Sequence, residues 1–310
     1  MLVYARTFWA LTRDGRDSSA GENSSVSGGA VSSRQQAVRS QAIPSYGFEH
    51  DKPERLAGIE ATWDRGTRAL LDSLGIGPGW RCLEAGAGSG SIAAWMAERV
   101  APEGSVLAVD LDTTHVEPLA GGVLEVRRHD LRHDDLPPGA FDLVHERSVL
   151  SWLGDGDALD RLVASLAPGG WFLAEDFDWA IHGSAEGSAV VAKAYEAIIS
   201  LLEGVGYQRH YGSTLLGRLE RAGLEDTASE ARSYVLRGGS PGTAFDRHSM
   251  LAHRDAILAS GGLTEPEFDE TLRFLDDPDA LVLTPVLYAA WGRKPESFEP
   301  AQNARATVAS

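Results

Sequence analysis

Residues 82 to 90 read CLEAGAGSG, in which a carboxylate, Glu84, closes an apolar run and Gly86, Gly88 and Gly90 alternate behind it. Glycines between a strand and a helix start let a ligand approach the backbone, and the free N–H groups of the first helical turn favour an anionic group. A carboxylate at the strand end favours an ammonium instead. The loop therefore suits a ligand that carries both charges. A dinucleotide loop needs G-x-G-x-x-G so that a pyrophosphate rests on the helix end. Here Ser91 stands where the third glycine would be, and Glu84 would oppose the pyrophosphate.

Further polar residues close the apolar runs downstream. SVLAVDLD carries Asp110 and Leu111 about 20 residues past the loop, the place where a carboxylate can accept both hydroxyls of a ribose; Asp112 is the alternative. RRHDL ends the third run, so Asp130 is placed to accept from an exocyclic adenine amine while Leu131 reads the ring edge and packs on the base. The fourth run, FDLVHERSVLSWL, ends past the same ligand in a doubly wound sheet, which makes Glu146 both a cofactor-side candidate and a candidate general base. His182 and His210 are the other candidate bases, because histidine titrates near neutrality. Trp152, Trp179, Tyr211 and Tyr46 are candidates for an aromatic wall around substrate and cation. Cys82, the single cysteine, excludes an internal disulfide and a cysteine-built zinc site, and reads as a small buried hydrophobe.

These residues need elements to position them. Arg55 to Leu74 repeats Leu56, Ile59, Trp63, Leu70, Leu71 and Leu74 at helical spacing, which predicts a helix ahead of the core. Strands are expected at 81–84, 105–110, 124–127, 141–146 and 170–175, with helices at 91–99 and 157–166 between them. That alternation predicts a parallel sheet with crossover helices. Beyond Asp178 the expectation is a helix over 188–204, a strand near 233–236, one or two helices over 244–276 and a last strand over 281–291. Residues 1–42, rich in Ser, Gly and Arg, are expected to be a disordered tail, and 295–310 a flexible one.

Composition limits the partners. Lys+Arg is 28 against Asp+Glu 45, a formal net charge of -17, so nucleic acid and anionic membrane are poor partners and a small molecule is the better one. No run reaches the ~18 apolar residues of a membrane span, and the opening MLVYARTFWAL lacks a cleavage signal, so a cytoplasmic location is expected. Scarce lysine and abundant arginine point to a GC-rich bacterial source. Asp176 and Asp178 follow the fifth run with no accompanying asparagine to complete a set of oxygen ligands for a hard cation, so no metal is assigned.

The methionine part of S-adenosylmethionine carries both an ammonium and a carboxylate. From about Tyr46 to Lys294 the chain resembles the class I S-adenosylmethionine-dependent methyltransferases, most clearly in CLEAGAGSGSIAAWMA, SVLAVDLD, RRHDLRHDDLP, FDLVHERSVLSWL and LAPGGWFLAEDFDW. It is similar to the small-molecule, natural-product branch, to which YGSTLLGRLERAGLED and LYAAWGRKP are also familiar. The resemblance implies an α/β fold with a doubly wound seven-stranded sheet, six strands parallel and the last antiparallel, and a helical cover over about 180–275. It implies cofactor roles for Glu84, Gly86, Gly88, Gly90, Asp110 and Asp130, and methyl transfer to oxygen, nitrogen or carbon of a small molecule. The same binding residues would serve a cyclase or rearrangement enzyme, or a non-catalytic cofactor-sensing partner. A homodimer through the last strand and the cover is a further expectation.

Overall fold

The computed structural model describes residues 53–154 and 157–297. The expected tail over 1–42, the wall candidate Tyr46 and all but the first three residues of 295–310 lie outside the described residues. Helix α1 (Pro53–Ser73) opens the described chain, and Trp63, Leu70 and Leu71 line its buried face. Then β1 (Arg81–Ala85), α2 (Ser91–Val100), β2 (Ser105–Asp110), β3 (Leu124–Arg128) and β4 (Phe141–Arg147) alternate as the apolar runs predict. A short α3 (Leu150–Leu153), α4 (Ala158–Ser165) and the long β5 (Leu166–Asp178) complete the first half.

The second half departs from the expected plan. β6 (Gly183–Ser184) and α5 (Ala189–Gly204) precede α6 (Leu215–Arg221), β7 (Glu225–Arg232) and β8 (Val235–Arg237). α7 (Ala244–Ala252), α8 (Arg254–Ala259) and α9 (Glu265–Asp276) follow, then β9 (Leu281–Leu283) and β10 (Val286–Arg293). The main sheet runs β3-β2-β1-β4-β5-β10-β7. Six strands are parallel, and β10 lies antiparallel between β5 and β7. This is the doubly wound, Rossmann-like architecture that the resemblance implies, with its switch point between β1 and β4.

Several differences have physical causes. β7, EDTASEAR, is an exposed edge strand, so it has no apolar alternation to find, and charged side chains protect such an edge. The expected strand over 281–291 is broken near Thr284-Pro285, because proline cannot donate to a ladder; β9 joins a separate three-stranded sheet, β6-β9-β8. The one or two helices expected over 244–276 are three, interrupted at His253 and at the Gly261-Gly262 turn. The cover is therefore not the continuous stretch 180–275: α6 and β7 return to the main sheet, and α1 joins α5, α7 and the small sheet over the strand ends.

Each sheet face has its own core. Leu83, Val144, Phe172 and Ala174 pack against Leu162, Leu215 and Leu219 on one side. Cys82, Val106, Leu143 and Leu173 pack against Leu71, Ile92 and Met96 on the other. Full burial of side chains of this size is worth ~1.5–3 kcal/mol each. Cys82 is wholly buried, and burial pushes its thiol up, as a structural cysteine requires.

Candidate active site

One cleft of about 290 Å³ opens over the C-terminal ends of β1, β2, β4 and β5. Its floor at one end is the glycine loop. Gly86, Gly88 and Gly90 all have positive φ, at 77°, 55° and 86°, which explains glycine at each. What surrounds them differs. A Cβ on Gly86 would meet Val149 Cγ2 at 2.2 Å, and one on Gly90 would meet Leu119 Cδ1 at 2.7 Å and Val116 Cγ2 at 2.8 Å. A Cβ on Gly88 would find only Leu56 Cδ2 at 3.8 Å, because Gly88 faces the cleft. Gly90 lies outside the lining, and its bareness serves packing at the start of α2.

Asp110 braces this loop. Its Oδ2 accepts from the Gly88 N–H at 2.8 Å and its Oδ1 from the Asp112 N–H at 3.1 Å. Burial pushes the Asp110 carboxyl up, and those N–H groups oppose the shift. Asp110 and Leu111 line the cleft; Asp112 turns outward, where it accepts from Thr114. Asp130 and Leu131 line it too. The Asp130 carboxylate is already bound by Arg132 at 2.9 Å and by His133 Nδ1 at 3.0 Å. Burial disfavours its charge, but those partners hold it well below the usual carboxylate range.

Glu84 lines the cleft yet is 4% exposed, because the fold gives its charge a partner. His145, its register neighbour on β4, places Nδ1 2.6 Å from Glu84 Oε2 and Nε2 3.3 Å from Glu175 Oε2. Glu175 also pairs with Arg232 of β7 and accepts from Thr67 of α1. Burial works against a charged imidazole, but Glu84 and Glu175 outweigh it and lift His145 to about 9. Burial likewise opposes the Glu175 charge, and His145, Arg232 and Arg147 hold it down to about 2. At neutral pH the row is anion, cation, anion, cation across four strands. A protonated His145 donates to both glutamates and fixes the rotamer of Glu84 at the mouth of the loop.

Two residues along β4, on the same face as His145, Arg147 lines the cleft; it holds Asp64 of α1 at 2.9 Å and donates to Thr67 Oγ1 at 3.0 Å. Ser148 follows with φ 60°, a left-handed conformation for a side-chain-bearing residue, and its N–H donates to Glu175 O at 2.7 Å. Strain of this kind collects at functional sites. His145, Arg147 and Glu175 escape sequence reasoning because a lone polar residue in a strand carries no signal. The trace that was present is the i, i+2 pair of polar residues, His145 and Arg147, which continues the face of Leu143 in FDLVHER.

The three candidate bases are elsewhere. Glu146 points to the opposite sheet face, fully buried; its Oε2 accepts the N–H groups of Val149 and Leu150 at 3.2 and 3.4 Å. Burial and the nearby Asp176 charge push its carboxyl well above the usual range. It caps α3 and lies outside the cleft lining. His182 hydrogen-bonds Trp179 O at 2.8 Å and packs on Tyr195, outside the lining. His210 is largely exposed and pairs with Asp178 at 2.9 Å, also outside the lining. Neither histidine is placed to take a proton within the cleft. Tyr211 packs in the opposite core beneath Arg218, which removes it from the aromatic wall; Trp152 and Trp179 do line the cleft.

The far end of the cleft is made by the cover. Tyr195, Ile198, Ile199 and Leu202 come from α5, and Phe245, Asp246, Ser249 and Met250 from α7. Tyr207 OH accepts from Trp179 Nε1 at 2.7 Å, and Trp152 packs on the Tyr207 ring at 4.5 Å.

A doubly wound sheet with a left-handed glycine loop on its first strand, carboxylates at successive strand ends and a cover enclosing one cleft defines the class: a Rossmann-like methyltransferase fold. The chain belongs to the methyltransferase-domain family, whose model matches residues 48–229. It is 33% identical over 181 residues to "Methyltransferase str3" of Strobilurus tenacellus, covering 54% of this chain and 65% of that protein. A second Strobilurus tenacellus protein, "Methyltransferase str2", is 33% identical over 152 residues, 48% of this chain and 55% of its own length. The matches thus span under two thirds of both curated relatives. Among solved structures, Haemonchus contortus phosphoethanolamine N-methyltransferase 2, in complex with S-adenosyl-L-methionine, is similar in fold at a TM-score of 0.51 and 18% identity. That similarity covers 82% of this chain and 61% of the other. The YcgJ protein from Bacillus subtilis matches at TM-score 0.51 and 15% identity, over 76% of this chain and 100% of its own.

Proposed function

We propose that the chain binds S-adenosylmethionine at the glycine-loop end of the cleft and transfers its methyl group to a small molecule held beneath α5 and α7. The observation that carries this reading is the open space over Gly88, the one loop glycine whose missing Cβ faces the cleft rather than a packed side chain, flanked by Glu84 and Asp110. The residues present fit the cofactor. Glu84 offers its second carboxylate oxygen to an ammonium, the first N–H groups of α2 face a carboxylate, and Asp110 and Asp130 stand along the path of a ribose and a base. Bound there, the sulfonium supplies an activated methyl group, so the protein has to align acceptor and methyl and to exclude water. The enclosed, apolar far end supports a small acceptor over a polymer, and secondary metabolism is the setting we assign to it.

Calorimetry with S-adenosylmethionine, S-adenosylhomocysteine and NAD is the test. Binding of the first two and not the third is expected; binding of NAD alone would overturn the reading.

A further inference from the structure

The far end of the cleft holds a carboxylate that the cofactor does not need. Asp246 is 5% exposed and lines the cleft from α7. Asp246, Ser249 and Met250 stand at i, i+3 and i+4, so one helix face presents all three to the cavity. Opposite, on α5, the buried Tyr195 hydroxyl faces this carboxylate. A carboxylate and a hydroxyl, both more than nine-tenths buried and lining one cleft, are what a site for a polar atom of a ligand looks like, since burying polar groups is costly.

The rest of that end is apolar or aromatic: Ile199, Leu202 and Met250 with Phe177, Trp179 and Phe245. A flat, uncharged ring fits these walls. A cationic acceptor fits them less well. The Arg55 guanidinium lies 4.8 Å from the Phe245 centroid, already occupying a cation–π position, and donates to Ser249 Oγ at 3.0 Å beside Asp246.

We propose, building on the methyl-transfer reading, that the acceptor is a neutral hydroxyl-bearing aromatic or enolic compound and that Asp246 is the general base that takes its proton. The acceptor oxygen forms the new bond to the methyl carbon. The carbon–sulfur bond breaks, its electron pair neutralises the sulfonium to a thioether, and the hydroxyl proton passes to the Asp246 carboxylate. The charged and titratable groups facing Asp246 are Tyr195 from α5 and Arg55 from α1; α9, also packed on α7, meets it through the outward Arg247–Asp276 pair. Burial pushes the Asp246 carboxyl up to about 7, with Tyr195 and Arg55 opposing, so it can take and release a proton near neutrality.

The test uses the full chain with a panel of 2-naphthol, 4-phenylphenol, a 1,3-diketone enol, 2-naphthylmethylamine and 2-naphthoic acid. Release of S-adenosylhomocysteine is followed for wild type and Asp246→Asn, and calorimetry records 2-naphthol binding to the S-adenosylhomocysteine complex. We expect turnover of the hydroxyl compounds and not of the amine or acid. Asp246→Asn should lower kcat at least a hundredfold while S-adenosylhomocysteine and 2-naphthol affinities stay within about threefold, and the rise of kcat/KM through pH 7 should disappear. Asn keeps the shape of Asp, and retained ligand affinity reports a folded variant. Asp246→Asn turnover within threefold of wild type, turnover confined to the amine or acid, or no turnover of any panel member would each overturn the proposal. Loss of S-adenosylhomocysteine binding by the wild type would instead overturn the methyl-transfer reading on which it rests.

Discussion

At the scale of single residues, the loop glycines share a sign of φ but answer to different neighbours. Gly88→Val should abolish S-adenosylhomocysteine binding in calorimetry while circular dichroism stays native, because the added side chain fills ligand space. Gly86→Ala should act on stability, since its Cβ would meet Val149 Cγ2 at 2.2 Å; a loss of about 1–3 kcal/mol in urea unfolding is expected. His145 sets a pH dependence. Its folded-state value of about 9 lies above the ordinary 6.5, so its ion pairs contribute fully below pH 6.5 and are lost as pH rises through 9. Urea unfolding from pH 6 to 10 should show stability falling across that window. His145→Gln should cost about 3–5 kcal/mol at pH 6, because it leaves Glu84 and Glu175 buried without their cation, and should flatten the profile.

At the scale of elements, α1 joins the two halves of the site. Asp64 and Thr67 tie it to Arg147 and Glu175 on the sheet, and Gly58 meets α7, where a Cβ would lie 2.4 Å from the Phe245 backbone nitrogen. Gly58→Ala, which would stabilise an isolated helix by roughly 1 kcal/mol, should here destabilise the protein by pushing α7 outward. A variant that raised the unfolding midpoint would show that the two helices separate without cost. The first five strands and the first helices were legible because their apolar periods are strong, and the glycine loop because its residue types are rare in combination. Glu84 and Asp110 were legible as strand ends, but their partners were not: His145, Glu175 and Arg232 come from three strands, and only pairing brings them together. Asp246 was hidden for the same reason, since nothing in AFDRHSM separates a cleft-facing aspartate from a solvated one. Glu146 shows the converse error, because strand alternation gives the two residues of His145-Glu146 to opposite faces and sequence position does not say which face holds the site.

At the scale of the whole molecule, cofactor binding should appear as stability. S-adenosylhomocysteine at about 100 times its Kd should add about 2.7 kcal/mol and raise Tm by roughly 5–10 °C in scanning calorimetry; an unchanged Tm would place the ligand on unfolded and folded chain alike. The charged row through β1, β4, β5 and β7 bears on how the molecule comes to exist. Three of its members, Glu84, His145 and Glu175, are translated well before Arg232, the cation that balances the outer glutamate. A nascent chain ending before β7 would have to bury Glu175 without Arg232, the cation that pairs with it directly, which disfavours early closure of the sheet. The row is thus complete only once β7 has been made. Stalled chains released before residue 232 should remain open to protease, and those released after residue 293, when β10 can also pair, should become resistant.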